Sequence, residues 1–188
     1  MIKVQENWGV LISQTGSEVI AIAKETGFLP SLLITNRLTK ISPDNMRFFG
    51  ENGVIIRTIP FKPTSKDYLF PELLEKKLIT LHGFLRIVPP EFFSQYKGRI
   101  YNGHPALITR YPELKGFNKQ EDIVGNQEKY PVCGSVIHEV IPELDSGKVI
   151  IAASIENTAK TVNEAYSILR NMSLLTWIEF FKNTWSFE

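Results

Sequence analysis

The feature that most constrains this chain is a run of short apolar segments alternating with helix-like ones through its first half. Trp8 to Ser13 is continuously apolar and reads as a buried strand, and Glu18 to Glu25 follows with Val19, Ile20 and Ala23 on one helical face, ending at Gly27. Ser31 to Thr35 is a second strand, and Asp44 to Glu51 a short helix stopped by Asn52-Gly53. Val54 to Ile59 gives a third strand. Tyr68 to Lys77 gives another helix, irregular at Pro71, and Leu78 to Leu81 a fourth strand. An order βαβαβαβ predicts a parallel sheet joined by right-handed crossovers.

Beyond Leu81 the rhythm breaks. Arg99 to Asn102 and Gly134 to Val140 read as strands separated by a long polar stretch, Arg110 to Pro131. A loop of that length inside a compact domain usually serves as a lid or binding loop. Lys148 to Ser154 reads as a last strand. Val162 to Trp185 is a long amphipathic helix with Leu169, Met172, Leu175, Trp177 and Phe180 expected to face inward. Without a repeat or low-complexity linker, residues 1–188 are expected to form one domain.

Composition narrows the function classes. Apolar residues make up 43% of the 188 positions and the net charge is +1, with Lys and Arg scattered. No bulk field or basic stripe recruits nucleic acid or an anionic membrane. Cys133 stands alone, so no disulfide forms within the chain, and no stretch approaches the roughly 18 apolar residues of a membrane span. The first residues lack the apolar core of a signal peptide, and a cytoplasmic setting is expected. His82, His104 and His138 match no metal-ligand spacing, so no metal site is expected.

Three segments carry chemistry. Ser13-Gln14-Thr15-Gly16-Ser17 lies between the first strand and helix, where backbone N–H groups and the helix dipole favour an anion. The plainer reading is a strand-to-helix turn, with Gly16 for flexibility and Ser17 as the cap. Gly83-Phe84-Leu85-Arg86-Ile87-Val88-Pro89 follows the fourth strand, where a loop can wall a pocket for a flat heterocycle or simply plug the core. Finally, Asn102 and His104 are two apart on a strand end and share a face. An amide beside an imidazole can donate to an oxyanion, and the carboxylate of Asp145, brought close, would favour the charged imidazole or relay a proton.

Together these segments resemble the folate-dependent formyltransferases, nearly end to end from Val10 to about Phe181. The resemblance rests on Asn102-Gly103-His104-Pro105, matching the family's Asn-x-His-Pro strand, and on Gly83-Phe84-Leu85-Arg86-Ile87, matching a Gly-Phe-Met-Arg-Ile-type loop. It rests also on His138 placed seven residues before Asp145. It implies an α/β fold with a Rossmann-like, mostly parallel twisted sheet flanked by helices and a long C-terminal helix. It implies formyl transfer from 10-formyltetrahydrofolate, as cosubstrate, to a primary amine, with glycinamide ribonucleotide of purine biosynthesis the expected acceptor. Another small amine, such as an amino sugar nucleotide, or non-catalytic folate binding are the alternatives.

By the same resemblance Asn102, His104 and Asp145 are catalytic, with His138 supporting the strands around them. Leu85, Arg86, Ile87 and Val88, with Val140, Ile141, Pro142 and Glu143, would line the pterin slot. Thr15, Gly16, Ser17, Glu18 and Pro105 would bind the acceptor. The partner implied is a small-molecule amine, with no nucleic acid or membrane, and a homodimer is compatible with it. The chain departs from the pattern on the acceptor side. The purine branch typically carries Ser-Gly-Asn-Gly-Ser-Asn in the first loop, whereas this chain has Ser13-Gln14-Thr15-Gly16-Ser17-Glu18. A glycine is missing and a carboxylate replaces a neutral amide. The ribotide-contacting glutamate has no counterpart around Ile168 to Met172, and the loop from Lys115 to Tyr130 also differs.

Overall fold

The structure, a computed structural model, describes residues 1–116 and 119–187. Seven strands form one sheet in the order β3-β2-β1-β4-β5-β6-β7. They are β1 (Lys3–Ile12), β2 (Phe28–Thr35), β3 (Ile55–Thr58), β4 (Leu78–His82), β5 (Arg99–His104), β6 (Val132–Glu139) and β7 (Val149–Glu156). β1 pairs in parallel with β2 and with β4, and β2 with β3, whereas β6 and β7 are antiparallel. The expected parallel half is therefore present, and the last two strands, β6 and β7, form the antiparallel pair. The chain divides into two compact units, residues 1–101 with the short stretch from Ser186, and Asn102–Trp185.

In the first unit the strands are apolar because both faces are covered. β2 and β4 are buried almost throughout, and Trp8, Val10 and Ile12 of β1 are inaccessible. Helix α1 (Ser17–Thr26) follows β1 and ends at Gly27, whose φ of 77° suits glycine and whose N–H caps the Ala23 carbonyl. Its N-cap is Gly16, at φ 74°, with no side-chain cap. Ser17 is thus the first helical residue rather than the cap, because Gly16 alone tolerates the left-handed turn that reverses the chain. Helix α2 (Pro43–Glu51) starts as the sequence suggests, with the Ser42 side chain accepting from the Asn45 N–H.

The helix expected over Tyr68 to Lys77 is broken. Ser65–Tyr68 is a 3-10 turn and α3 is only Pro71–Leu74. Phe70 is held extended at φ −127° and ψ 148°, as a residue before proline prefers, and Pro71 can only begin a helix. A further short helix, α4 (Pro90–Gln95), buries Phe92.

In the second unit the polar stretch between β5 and β6 is less of a loop than it reads. Tyr111, Leu114, Ile123 and Tyr130 are buried in a cluster with Cys133, Val136, Ala165 and Leu169. Buried Asn157 braces it, its side-chain N–H group donating to the carbonyls of Ile123 and Tyr130, each at 2.9 Å. Phe117 and Asn118 of this stretch lie outside the described residues. Helix α5 (Val162–Glu179) opens on a capping box between Thr161 and Glu164 and buries Leu169, Met172, Ser173, Thr176 and Trp177. That stripe follows a helical period, and Leu175 falls off it. Leu175 is 55% exposed, contrary to the expectation that it faces inward. The α-helix stops at Glu179, and Phe180–Thr184 is a wide π turn that buries Phe180 and Phe181.

Candidate active site

The second unit gathers the residues singled out for chemistry. β5 ends in Asn102, Gly103 and His104, and its neighbour β6 carries His138 one residue from its end. A Cβ on Gly103 would sit 2.5 Å from the Trp177 indole nitrogen, so only glycine lets α5 lie against this strand end. After Pro105 the chain turns tightly, the Ala106 N–H donating to the His104 carbonyl at 2.8 Å. Asp145 lies in the β6–β7 connection and is the one non-glycine residue at positive φ, 48°, among the described residues. Holding it there costs about 1–3 kcal/mol of local strain, the kind found at functional positions. Gly147 closes the connection, since a Cβ there would meet the Glu139 carbonyl oxygen at 1.9 Å.

Asp145 stands between two imidazoles. Its Oδ2 lies 3.6 Å from His104 Nδ1 and its Oδ1 lies 3.6 Å from His138 Nε2, all three side chains being more than nine-tenths buried. The Gly116 N–H donates to Oδ2 at 2.9 Å and anchors the carboxylate. At its other ring nitrogen, Nε2, His104 faces the Leu114 carbonyl at 3.0 Å. Nε2 is thus the ring's donor, to the Leu114 carbonyl, and Nδ1 is the nitrogen that faces the carboxylate.

His138 is different. Its Nδ1 donates to the Glu139 carbonyl at 2.8 Å, which leaves Nε2 to accept from the Asn102 side-chain N–H at 3.2 Å. Burial holds this imidazole below the usual histidine range, and the hydrogen bond to the Glu139 carbonyl and the Asp145 carboxylate only partly offset it. The imidazole beside Asn102 is therefore His138, while His104 is directed at the carboxylate. At His138 desolvation outweighs the upward pull of the nearby carboxylate.

The remaining residues sit as follows. In the first unit Ser13 receives the Leu85 N–H at 2.9 Å and donates to Asn36 Oδ1 at 2.7 Å, fixing the loop after β4. The Arg86 guanidinium donates to the Phe61 and Leu85 carbonyls and covers the Phe61 ring. Ile87 is 67% exposed and Val88 is buried. Thr15 is exposed, with its hydroxyl accepting from the Ser17 N–H at 3.3 Å, and Glu18 reaches His82 Nδ1 at 2.8 Å. In the second unit Val140 is half-buried, Ile141, Pro142 and Glu143 are exposed, and Pro105 is half-buried. The β6–β7 ladder ends before these four residues, so their peptide groups lie outside it.

Sequence reasoning missed the Gly116 N–H, the Leu114 carbonyl and His82, because each acts through a partner many residues away. Among the described residues no group of three His, Cys, Asp or Glu side chains is arranged to hold a metal ion, and no helix is long and apolar enough to cross a membrane.

The formyl transferase family matches residues 70–171, more than half of the chain, a span that includes Asn102, His104, His138 and Asp145. The chain belongs to the formyl transferase family. Among similar proteins, the trifunctional purine biosynthetic protein adenosine-3 of Gallus gallus is 30% identical over 180 residues, covering 86% of this formyl transferase and 17% of the relative. The phosphoribosylglycinamide formyltransferase of Escherichia coli is 37% identical over 78 residues, covering 42% of this chain and 34% of the relative. The chain thus spans about a third or less of the length of these two relatives. A solved phosphoribosylglycinamide formyltransferase from Streptococcus pneumoniae superposes with a TM-score of 0.77 at 25% identity, over 94% of this chain and 97% of that one.

Proposed function

We propose that this formyl transferase moves the formyl group of 10-formyltetrahydrofolate to a primary amine, with glycinamide ribonucleotide as the acceptor. The observation that carries the reading is the buried Asp145 carboxylate held between His104 and His138, with Asn102 on the His138 side. The names of the similar proteins support the acceptor.

In this reading the acceptor nitrogen attacks the formyl carbon, and the carbonyl oxygen takes the negative charge of a tetrahedral intermediate. His104 in its doubly protonated form supplies a charge-assisted donor once the formyl oxygen takes the place of the Leu114 carbonyl at Nε2. Asn102 supplies the second donor, its amide oriented by His138. The attacking nitrogen then loses a proton and the folate nitrogen gains one as its bond to carbon breaks. Asp145 is the group beside His104 that relays it. In the first unit Leu85 to Val88 offer backbone groups for the pterin and Thr15 to Glu18 serve the acceptor; in the second, Val140 to Glu143 and Pro105 are assigned the same two roles. A cytoplasmic setting is part of the same reading.

The test is to mix the protein with a chromophoric 10-formyl-dideazafolate and glycinamide ribonucleotide and follow deformylation by absorbance. Turnover that requires the ribotide is the expected result. Tight binding of the folate analogue without turnover would move the acceptor to another amine, such as an amino sugar nucleotide.

A further inference from the structure

We propose that Asn36 is a positioning residue for the formyl donor, acting through a closed ring of hydrogen bonds that fixes the loop after β4. The proposal rests on the reading of Leu85 to Val88 as lining for the pterin. The ring draws its members from four different connections. Ser13 directly follows β1, Asn36 directly follows β2, Phe61 lies three residues beyond β3, and Leu85 three beyond β4. These strands are the parallel neighbours β3-β2-β1-β4, so their carboxyl ends share one edge of the sheet. Ligands of open α/β sheets settle at such an edge where the strand order reverses, which here is between β1 and β4.

Backbone groups at both ends fix the direction of these bonds. The Leu85 N–H can only donate, and it reaches Ser13 Oγ at 2.9 Å. The Phe61 carbonyl can only accept, and it faces Asn36 Nδ2 at 3.1 Å. That contact turns the amide oxygen of Asn36 toward Ser13, whose hydroxyl donates to it at 2.7 Å. Arg86 closes the circuit. Its Nε donates to the same Phe61 carbonyl at 2.7 Å and its Nη1 to the Leu85 carbonyl at 2.6 Å. The guanidinium also lies 4.3 Å from the centre of the Phe61 ring, so the anchor is packed as well as bonded.

Asn36 is the link that makes this a ring. The loop after β4 is held from the β1 side by the Leu85 amide and from the β3 side by Arg86, and Asn36 joins the two holds. Ser13 is inaccessible and Asn36 is 6% exposed, so bulk water does not replace a partner lost there. Without the Asn36 amide the Ser13 hydroxyl loses its acceptor and the Phe61 carbonyl loses one of its two donors. A loop held less tightly must be ordered by the ligand that uses it, and that cost weakens donor binding. Asn102, His104 and Asp145 belong to the second unit and are not members of the ring, so the chemical step itself should be spared.

Titration calorimetry with 10-formyl-dideazafolate, and steady-state turnover with glycinamide ribonucleotide, test this in the full chain well below its melting temperature. Asn36→Ala should weaken the folate analogue and raise its KM about ten-fold, with kcat and the ribotide KM changed less than about two-fold. Ser13→Ala opens the same ring at its other polar member and should weaken the analogue several-fold. It carries the test if Asn36→Ala does not fold. Ser31→Ala is the control for a purely structural loss. Its hydroxyl joins the Glu6 carbonyl to Lys76 toward the other end of β2, so the melting temperature should fall while analogue affinity holds. A folded Asn36→Ala or Ser13→Ala protein that binds the analogue within about two-fold of the parent would overturn the proposal, as would a loss confined to the ribotide KM. Turnover by the parent protein would then leave the proposed function standing. A parent protein that binds no folate analogue would overturn the proposed function, and this inference with it.

Discussion

Each unit of this protein sets a carboxylate against histidine, and the two arrangements differ in how tightly they close. In the first, Glu18 meets one imidazole at 2.8 Å, and the other nitrogen of that ring lies 2.9 Å from the Thr80 hydroxyl, which accepts from the Trp8 indole N–H. In the second, Asp145 stands 3.6 Å from each of two imidazoles, anchored instead by the Gly116 N–H at 2.9 Å. A short chain of contacts orients a carboxylate. A carboxylate within reach of two rings, but bonded closely to neither, can accept a proton without first breaking a strong contact. The first arrangement suits a fixed geometry, the second proton movement.

The comparison predicts that loss of activity separates from loss of stability. His104→Ala removes the charged donor and should lower turnover about 10³-fold, with circular dichroism unchanged. Retention of more than a tenth of the activity would show that the second arrangement is not the reacting one. Asp145→Asn keeps the shape but cannot take the proton, and about a 10²-fold fall in kcat is expected. The Gly116 N–H still finds an oxygen there, so the melting temperature should hold.

The first arrangement should respond the other way. Thr80→Val leaves the Trp8 N–H and His82 Nε2 facing a methyl group, at a cost of about 2 kcal/mol in denaturant unfolding. A neutral result would mean that the chain to Glu18 is not closed as described.

The smallest effect is a pH dependence. Burial lowers the pKa of His138 in the folded protein below its ordinary value of 6.5, so below that pH the unfolded chain binds a proton the folded one refuses. His138 therefore contributes nothing above that range and destabilises progressively as pH falls through the ordinary value toward the folded one. His138→Asn should flatten the stability profile between about pH 7 and 5. An unchanged slope in urea melts across that range would remove burial as the dominant influence on this ring.

How much was legible beforehand follows from which interactions are local. The alternating apolar runs placed β1 to β4, and the capping box at Thr161 and Glu164 is written in adjacent residues. Pro71 signalled irregularity, but not that only four residues of helix would survive. Asn102, His104 and Asp145 could be picked out by motif, since a strand end sets side chains two apart on one face.

The sequence by itself determined the alternation of elements, the glycines that the backbone requires, and the residue types that can carry formyl transfer, because these depend on period, φ and side-chain chemistry. Only the tertiary structure decided which imidazole faces Asn102, which backbone groups hold Asp145 and His104, and that Glu18 has His82 as its partner. Those pairings join positions up to 64 residues apart, and no local preference encodes a hydrogen bond across that separation. Burial decided the rest: it turned a polar-looking stretch into a core wall at Tyr111, Leu114, Ile123 and Tyr130, and it lowered the pKa of His138 against the pull of its own carboxylate.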